Sequence, residues 1–291
     1  MSDWSDISRR AGFGLHRLVG WIFWDPVAVA NYEALGVPGG TGYYIATRAA
    51  PLAAAGDDAV IAAFYSIHPD FVRVSLRLCR EHTTFAAAAD ARDRAVRDGL
   101  HALVPDVCDE LAALAPTLWD TADSLSPAGR VLFAAHREWP RPDEPLTSAW
   151  LAANAIREWR GDTHWAIHCN EGISGTAGGV LDGAWRNYDD PDWLPRSRGA
   201  GDDDIAAAVA ELAGRGLITD GRVNAAGVAY RQSLEDRLDE LTVAPWQHLR
   251  RETCERFLSL LDAAGSTLMA RVDETAGPNW MPAGRDRREA R

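Results

Sequence analysis

The segment Arg157 to Glu171, REWRGDTHWAIHCNE, gathers more groups able to do chemistry than any other stretch of this chain. Wound as an α-helix at about 100° per residue, it puts Asn154, Arg157, Arg160, His164, His168 and Glu171 on one face, provided Gly161 does not break the helix. Such a stripe either faces solvent or builds a site. Histidines at i and i+4 can share a metal ion, with Glu171 as an oxygen ligand. The H-E-x-x-H spacing of zinc hydrolases is absent, so the first reading holds no metal, with His164, His168 and Glu171 as the alternative. His164 is also the candidate catalytic residue, a general acid or base titrating near neutrality and oriented by Asp162 or Glu158.

Asp162 projects to the opposite, apolar side, near Trp159, Trp165 and Cys169. An unpaired buried carboxylate is costly, and Arg48, in ATRAAP, is the expected partner. Two readings stay open: an ion pair that fixes helix packing, or an anion site formed by Arg48, Arg157 and Arg160. Twelve tryptophans cluster around these polar segments, as Trp21 with Trp24, Trp139 with Trp150 and Trp159 with Trp165. Aromatic walls with a few polar groups describe a small-molecule pocket, although Trp in a helical core needs no ligand. The candidate ligand-binding set is Arg48, Trp150, Asn154, Arg157, Arg160, Asp162 and His164. No motif calls for a cofactor.

The elements that must hold these residues are mostly helical. Asp25-Pro26 opens a helix over Val27 to Leu35, stopped by Gly36 and VPGGTG. Further helices start at Asp57 or Asp58 and at Asp70, and run over Phe85 to Leu103 and Asp106 to Leu114. Ser126-Pro127 opens the next, and Thr147 or Ser148 caps the long helix towards Glu171. Another covers Thr176 to Trp185. The segment YDDPDWLPRSRGAG, Tyr188 to Gly201, has the composition of a linker. A final helix spans Gln247 to about Arg271, and from Pro278 the chain reads as a frayed Arg-rich tail.

Between linker and final helix, DDDIAAAVA at Asp202 to Ala210 makes a helix with acids at its N-terminus. LAGRGLITDGRVNAAG at Leu212 to Gly227 then ends that helix at Gly214 or Gly216, forms a short strand at Leu217-Ile218, turns at Asp220-Gly221 and returns from Val223. A new helix follows through Tyr230, Leu234, Leu238 and Leu241. Helix, hairpin, helix is the order of a winged helix. EALGVPGGTGYY, Glu33 to Tyr44, echoes it, so a degenerate tandem duplication is a second possibility. The expected fold is mainly α: a multi-helix body over 1–187 with the ligand pocket, a linker over 188–201, a winged-helix module with the C-terminal helix over 202–272, and a tail over 273–291.

Charge argues against an ordinary DNA-binding face. The chain of 291 residues has net charge -12, and all 30 of its basic residues are Arg. Within Asp202 to Glu240, nine acids face four arginines, a net of -5 where phosphate binding needs the reverse. The helix that would enter the major groove offers Asp202, Asp203, Asp204, alanines and Glu211, almost none of them donors. Arg215 and Arg222 remain as phosphate contacts from the wing. The composition, 47% hydrophobic and 25% charged, is that of a globular protein. Without a leader-like start or an apolar run long enough to span a bilayer, it is expected in the cytoplasm, away from membranes. Cys79, Cys108, Cys169 and Cys254 form no C-x-x-C pair and read as reduced, mostly buried thiols.

YIATRAAPLAAAG, AAFYSIHP, REWRGDTHWAIH and LAGRGLITDGRVNAAGVAYRQSLED, in this order, resemble a family of high-GC bacterial helix-turn-helix proteins, sometimes labelled SalK-like, over roughly Asp25 to Leu249. Its most specific parts are R-A-A-P at Arg48 to Pro51 and R-G-D-x-H at Arg160 to His164. His168 stands where that family has an apolar residue, which counts against a two-histidine metal site. The resemblance implies no established reaction. The wing resembles the last half of MarR-type regulators, implying a homodimer joined through terminal helices and a response to small aromatic ligands. The leading expectation is a ligand-responsive winged-helix transcriptional regulator. The alternatives are a ligand-binding protein that does not bind DNA, and an enzyme with its site around Arg48, Arg157 and His164.

Overall fold

The computed structural model describes residues 3–289. The first half of the chain forms α1 (Trp4–Gly20), α2 (Pro26–Glu33), α3 (Tyr43–Ala49), α4 (Asp57–Phe64), α5 (Pro69–His82), α6 (Phe85–Leu103), α7 (Pro105–Ala113), α8 (Ala115–Ser124) and α9 (Val131–Glu138). The second half adds α10 (Pro145–Asn170), α11 (Gly175–Trp185), α12 (Trp193–Arg196), α13 (Asp202–Gly214), β1 (Ile218–Thr219), β2 (Arg222–Val223), α14 (Ala225–Leu241), α15 (Ala244–Leu249) and α16 (Arg251–Thr275). Mainly helical, with one two-stranded antiparallel sheet, the fold matches the expected class.

Proline and short acids set many of the helix starts. Pro26, Pro69, Pro105 and Pro145 each open a helix, where the missing N–H would have had no partner. Asp25 accepts from Val27 N at 2.8 Å, and Glu144 from Leu146 N and Thr147 N at 2.9 and 2.8 Å. Glu144, rather than Thr147 or Ser148, therefore caps α10. Gly161 does not interrupt α10, which runs unbroken through Asn170.

The main core is built around α10. It joins α1 residues Ile7, Ala11 and Leu15 to Trp150 and Ile156 of α10 and to Phe257, Leu261 and Leu268 of α16. A second cluster gathers Ile45, Val60, Phe64 and Leu76. The third holds Ile167 of α10, Val180 and Leu181 of α11, Ala208 and Leu212 of α13, and Leu234 and Leu238 of α14. The last turns of α10 thus belong to the core of the helix–hairpin–helix unit. α16 shares its core with α1, although it follows that unit in the chain.

In the hairpin Ile218 pairs with Val223 and Thr219 with Arg222. Asp220 and Gly221 both take positive φ, 51° and 73°, as a two-residue type I′ turn requires. Asn224 then caps α14 by accepting from Gly227 N at 3.0 Å.

Several expectations are corrected. Glu33 to Tyr44 contains a 3₁₀ turn and no strand, so no second hairpin stands there. α9 begins at Val131, not Ser126. The final helix is broken at Arg250, where φ is 63°. The 188–201 stretch contains α12, with Leu194 and Pro195 buried. Beyond Pro278 the chain is a strap: Tyr188 OH donates to Asn279 O at 3.0 Å, Arg186 Nη1 to Pro282 O at 2.6 Å and Arg17 Nε to Gly284 O at 2.8 Å. Among the described residues no helix is long and apolar enough to cross a membrane.

Candidate functional site

α10 directs its polar stripe inward. Arg157, Arg160, His164 and His168 line a cavity of about 800 Å³, closed by α1, by α11 and α12, by α14 and by the C-terminal strap. Arg48 reaches it from α3. Trp150 and Asn154 do not. Trp150 is wholly buried, its Nε1 donating to Leu18 O at 3.1 Å, and Asn154 Nδ2 lies 3.3 Å from His136 Nδ1. His136 Nε2 in turn donates to Arg48 O at 3.0 Å, so these residues support Arg48 from behind.

Glu158 anchors one end of the site. Arg48 Nε and Nη2 donate to its two carboxylate oxygens, each at 2.7 Å, and Arg157 Nη1 adds a third bond at 2.7 Å. Burial alone would raise the Glu158 pKa. The two guanidiniums outweigh it and hold the carboxyl well below the usual range. Arg48 is further fixed by Tyr44 OH at 2.8 Å and lies over the Phe64 ring at 4.6 Å.

This overturns the expected Arg48–Asp162 pair. Asp162 instead accepts from Phe133 N at 2.9 Å, satisfying a free N–H in the first turn of α9. Its burial nevertheless pushes the carboxyl up to about 7, the hydrogen bond offsetting only part of that. Asp162 does not line the cavity.

A second network ties three helices together. Arg186 Nε meets Asp182 Oδ2 at 2.9 Å, and Arg231 Nη2 meets Asp182 Oδ1 at 2.9 Å and Glu235 Oε2 at 2.8 Å. Glu235 Oε1 accepts from Arg160 Nη2 at 3.0 Å, which also reaches Asp239 Oδ1 at 2.6 Å. Arg160 Nη1 donates to Thr242 Oγ1 at 2.7 Å. Its side chain crosses α1 at Gly12, where a Cβ would lie 2.6 Å from Arg160 Nε, so any larger residue there would displace the guanidinium from its partners. α10, α11 and α14 are thereby coupled through alternating charges.

The histidines are neutral. Burial drives His164 well below its ordinary value, and His168 and the arginines Arg231, Arg160 and Arg198 push it further. Its ring packs on Trp165 and His168, with centroids 4.5 and 4.2 Å away. His168 Nδ1 donates to His164 O at 2.9 Å. Neither expected orienting carboxylate serves His164, because Glu158 holds Arg48 and Arg157 while Asp162 caps α9. Glu171 does not join the histidines either. It is held by Arg237 at 2.9 Å and Tyr230 OH at 3.1 Å, and among the described residues no group of three His, Cys, Asp or Glu could hold a metal ion.

Of the two wing arginines, Arg215 is engaged, its Nη1 donating to Glu171 O at 2.9 Å. Arg222 is exposed on β2. Several cavity residues lay outside the sequence reading: His16, Asp182, Arg186, Arg198, Arg231 and Glu235. Four of them form i,i+4 pairs of opposite charge, Asp182 with Arg186 and Arg231 with Glu235, and the first interrupts the apolar run TAGGVLDGAW. That misplaced pair was the available signal.

Fold and site together define a helical protein with a cationic interior cavity set against a helix–hairpin–helix unit. Residues 8–275 match the helix-turn-helix family, and the chain belongs to it. No curated protein and no solved structure matches the chain.

Proposed function

We propose that this helix-turn-helix protein is a small-molecule-binding regulator whose α13–hairpin–α14 unit is a winged helix and whose cavity senses the ligand. The observation that carries this reading is the position of the cavity. α14 contributes Arg231 and Glu235 to its wall, and the same helix starts directly from the hairpin. A ligand that prefers one arrangement of the Arg160, Arg231 and Glu235 contacts shifts α14, and with it the hairpin and α13. Membership of the helix-turn-helix family makes DNA the first partner to test.

One observation favours a second reading, a ligand-binding protein that does not grip DNA. Asp202 and Asp203 are exposed on α13, and Arg215 is turned back onto Glu171 O. Titrating the purified chain at low salt with a labelled duplex from upstream of its own coding sequence separates the two. Salt-sensitive binding supports the regulator. Absence of binding to specific and random duplexes alike removes DNA and leaves the second reading.

A further inference from the structure

Charges around the cavity do not cancel. Ten guanidiniums line it, Arg48, Arg157, Arg160, Arg186, Arg198 and Arg231 among them, against five lining carboxylates. Glu158, Asp182 and Glu235, with Asp239 beside them, are each committed to the ion pairs described above, and Asp262 and Asp286 lie near Arg10 and Arg17. Two of these arginines make no ion pair among the described residues: Arg287, which is exposed and donates to Trp185 O at 2.7 Å, and the half-buried Arg198. Arg198 Nη1 donates to Ser66 Oγ, and among the described residues no carboxylate lies within ion-pair distance of it. Among the described residues its Nε and Nη2 make no hydrogen bond, and Arg157 Nε and Arg231 Nη1 are buried without a partner. Positive charge held inside a protein without a counter-charge is costly, so this wall is complementary to an anion.

Aromatic rings adjoin the same end. Tyr44, which bonds Arg48, is stacked with Trp24 at 5.9 Å, Trp24 packs on Trp280 at 4.3 Å, and Trp280 meets Trp193 edge-on at 5.2 Å. Trp193 lies only five residues before Arg198, so one segment supplies both an aromatic wall and this cation.

Resting on the reading of the cavity as a ligand site, we propose that it binds a planar aromatic carboxylate. The Nε–Nη2 edge of Arg198 receives the carboxylate, and Trp24, Trp193 and Trp280 receive the ring. That edge presents two parallel N–H donors spaced to match two carboxylate oxygens. Aromatic faces offer the ring a large contact area at small entropic cost. About 800 Å³ accommodates a molecule of one to three fused rings with substituents. The anion site therefore lies at Arg198, whereas Arg48, Arg157 and Arg160, expected to form it, are engaged by Glu158, Glu235 and Asp239 within the fold.

The test uses the full chain and three probes of one shape: naphthalene-2-carboxylate, its neutral carboxamide and 2-naphthylmethylamine. Binding is read by tryptophan fluorescence and calorimetry. The expected result is saturable binding of the carboxylate, at least about tenfold tighter than the carboxamide, and none of the amine. Arg198→Gln should weaken the carboxylate about thirtyfold and leave the carboxamide unchanged. Arg198→Lys, which keeps the charge and loses the fork, gives a smaller loss confined to the carboxylate and serves if the Gln variant does not fold. Equal affinity for acid and amide, or equal losses of both in the variants, overturns the carboxylate assignment while leaving a ligand cavity. Failure of all three probes to bind the folded protein overturns the cavity reading as well.

Discussion

α10 and α13 both carry dense charge, and they use it in opposite ways. On α10, Glu158, Asp162 and Arg160 turn inward and find partners on α3, α9 and α14, while Arg157 bonds Glu158 beside it. On α13, Asp202 and Asp203 face water, and their neighbour Asp204 bonds Gly201 N at 2.8 Å. Charges in the first group hold distant segments in register and shape a cavity. Those in the second set the helix end and the potential of a surface. What separates them is desolvation, since a charge removed from water must be answered by another or it destabilises the fold.

The largest effect that could break this contrast is at Glu158. Replacing it with Gln leaves Arg48 and Arg157 facing each other in the interior without a counter-charge. The expected loss is about 3–5 kcal/mol in urea unfolding, against at most about 0.5 kcal/mol for Asp203→Asn. Similar costs for the two would mean that α10 is solvated like α13.

Asp162 sharpens the contrast through pH. Its folded pKa is about 7, while an aspartate in the unfolded chain ionises near ~3.9. Between about pH 4 and pH 7 the folded state therefore binds more protons, so this group makes stability fall as pH rises and level off above that window. Glu158 acts the other way, its depressed folded pKa giving stability that is present above the unfolded value near ~4.3 and lost as pH falls. Asp162→Asn keeps an acceptor for Phe133 N–H and removes the ionisation. Its melting temperature relative to the parent should rise from pH 4 to pH 7. A pH-independent difference would show an ordinary carboxylate.

Smaller again is the strap. Trp280 is half-buried and packs on Trp24 and Trp193 across the cavity. Trp280→Ala should cost about 1–2 kcal/mol, with the hairpin unit still folded by circular dichroism. No loss would place the strap off the body in solution.

How far the sequence could be read follows the same division. The helix–hairpin–helix order was legible because its signals are local: three acids at a helix start, Asp220-Gly221 at a turn, Asn224 at a cap. The inward stripe of α10 was legible as a periodicity. Its partners were not, since Glu158 and Asp162 are equally near Arg48 in sequence terms and only packing decides between them. α1 went unread because Ile7, Ala11, Leu15 and Leu18 sit among arginines and glycines without a strong boundary signal. The strap and α12 read as tail and linker from their Pro, Gly and Arg content, yet Leu194, Pro195 and Met281 bury against the body and Trp193 and Trp280 are half-buried. Composition reports what a segment tolerates in water, and long-range contacts override it.

The smallest expected effect concerns the outer face alone. Arg222 on β2 and Asp203 on α13 are both exposed, and changing either to a neutral polar residue, Gln or Asn, should move stability by no more than about 0.5 kcal/mol. Their consequences for DNA differ in sign. If the hairpin meets phosphate, Arg222→Gln weakens binding uniformly across sequences and lowers the salt slope by about one. If α13 approaches the duplex, Asp203→Asn tightens binding by removing a repulsion. Anisotropy titrations over a series of salt concentrations measure both. A response to Arg222 without one to Asp203 would assign contact to the hairpin and keep the acidic helix away from the DNA. Indifference to both would leave the outer face as a solvated surface, and the work of the molecule on the cavity side.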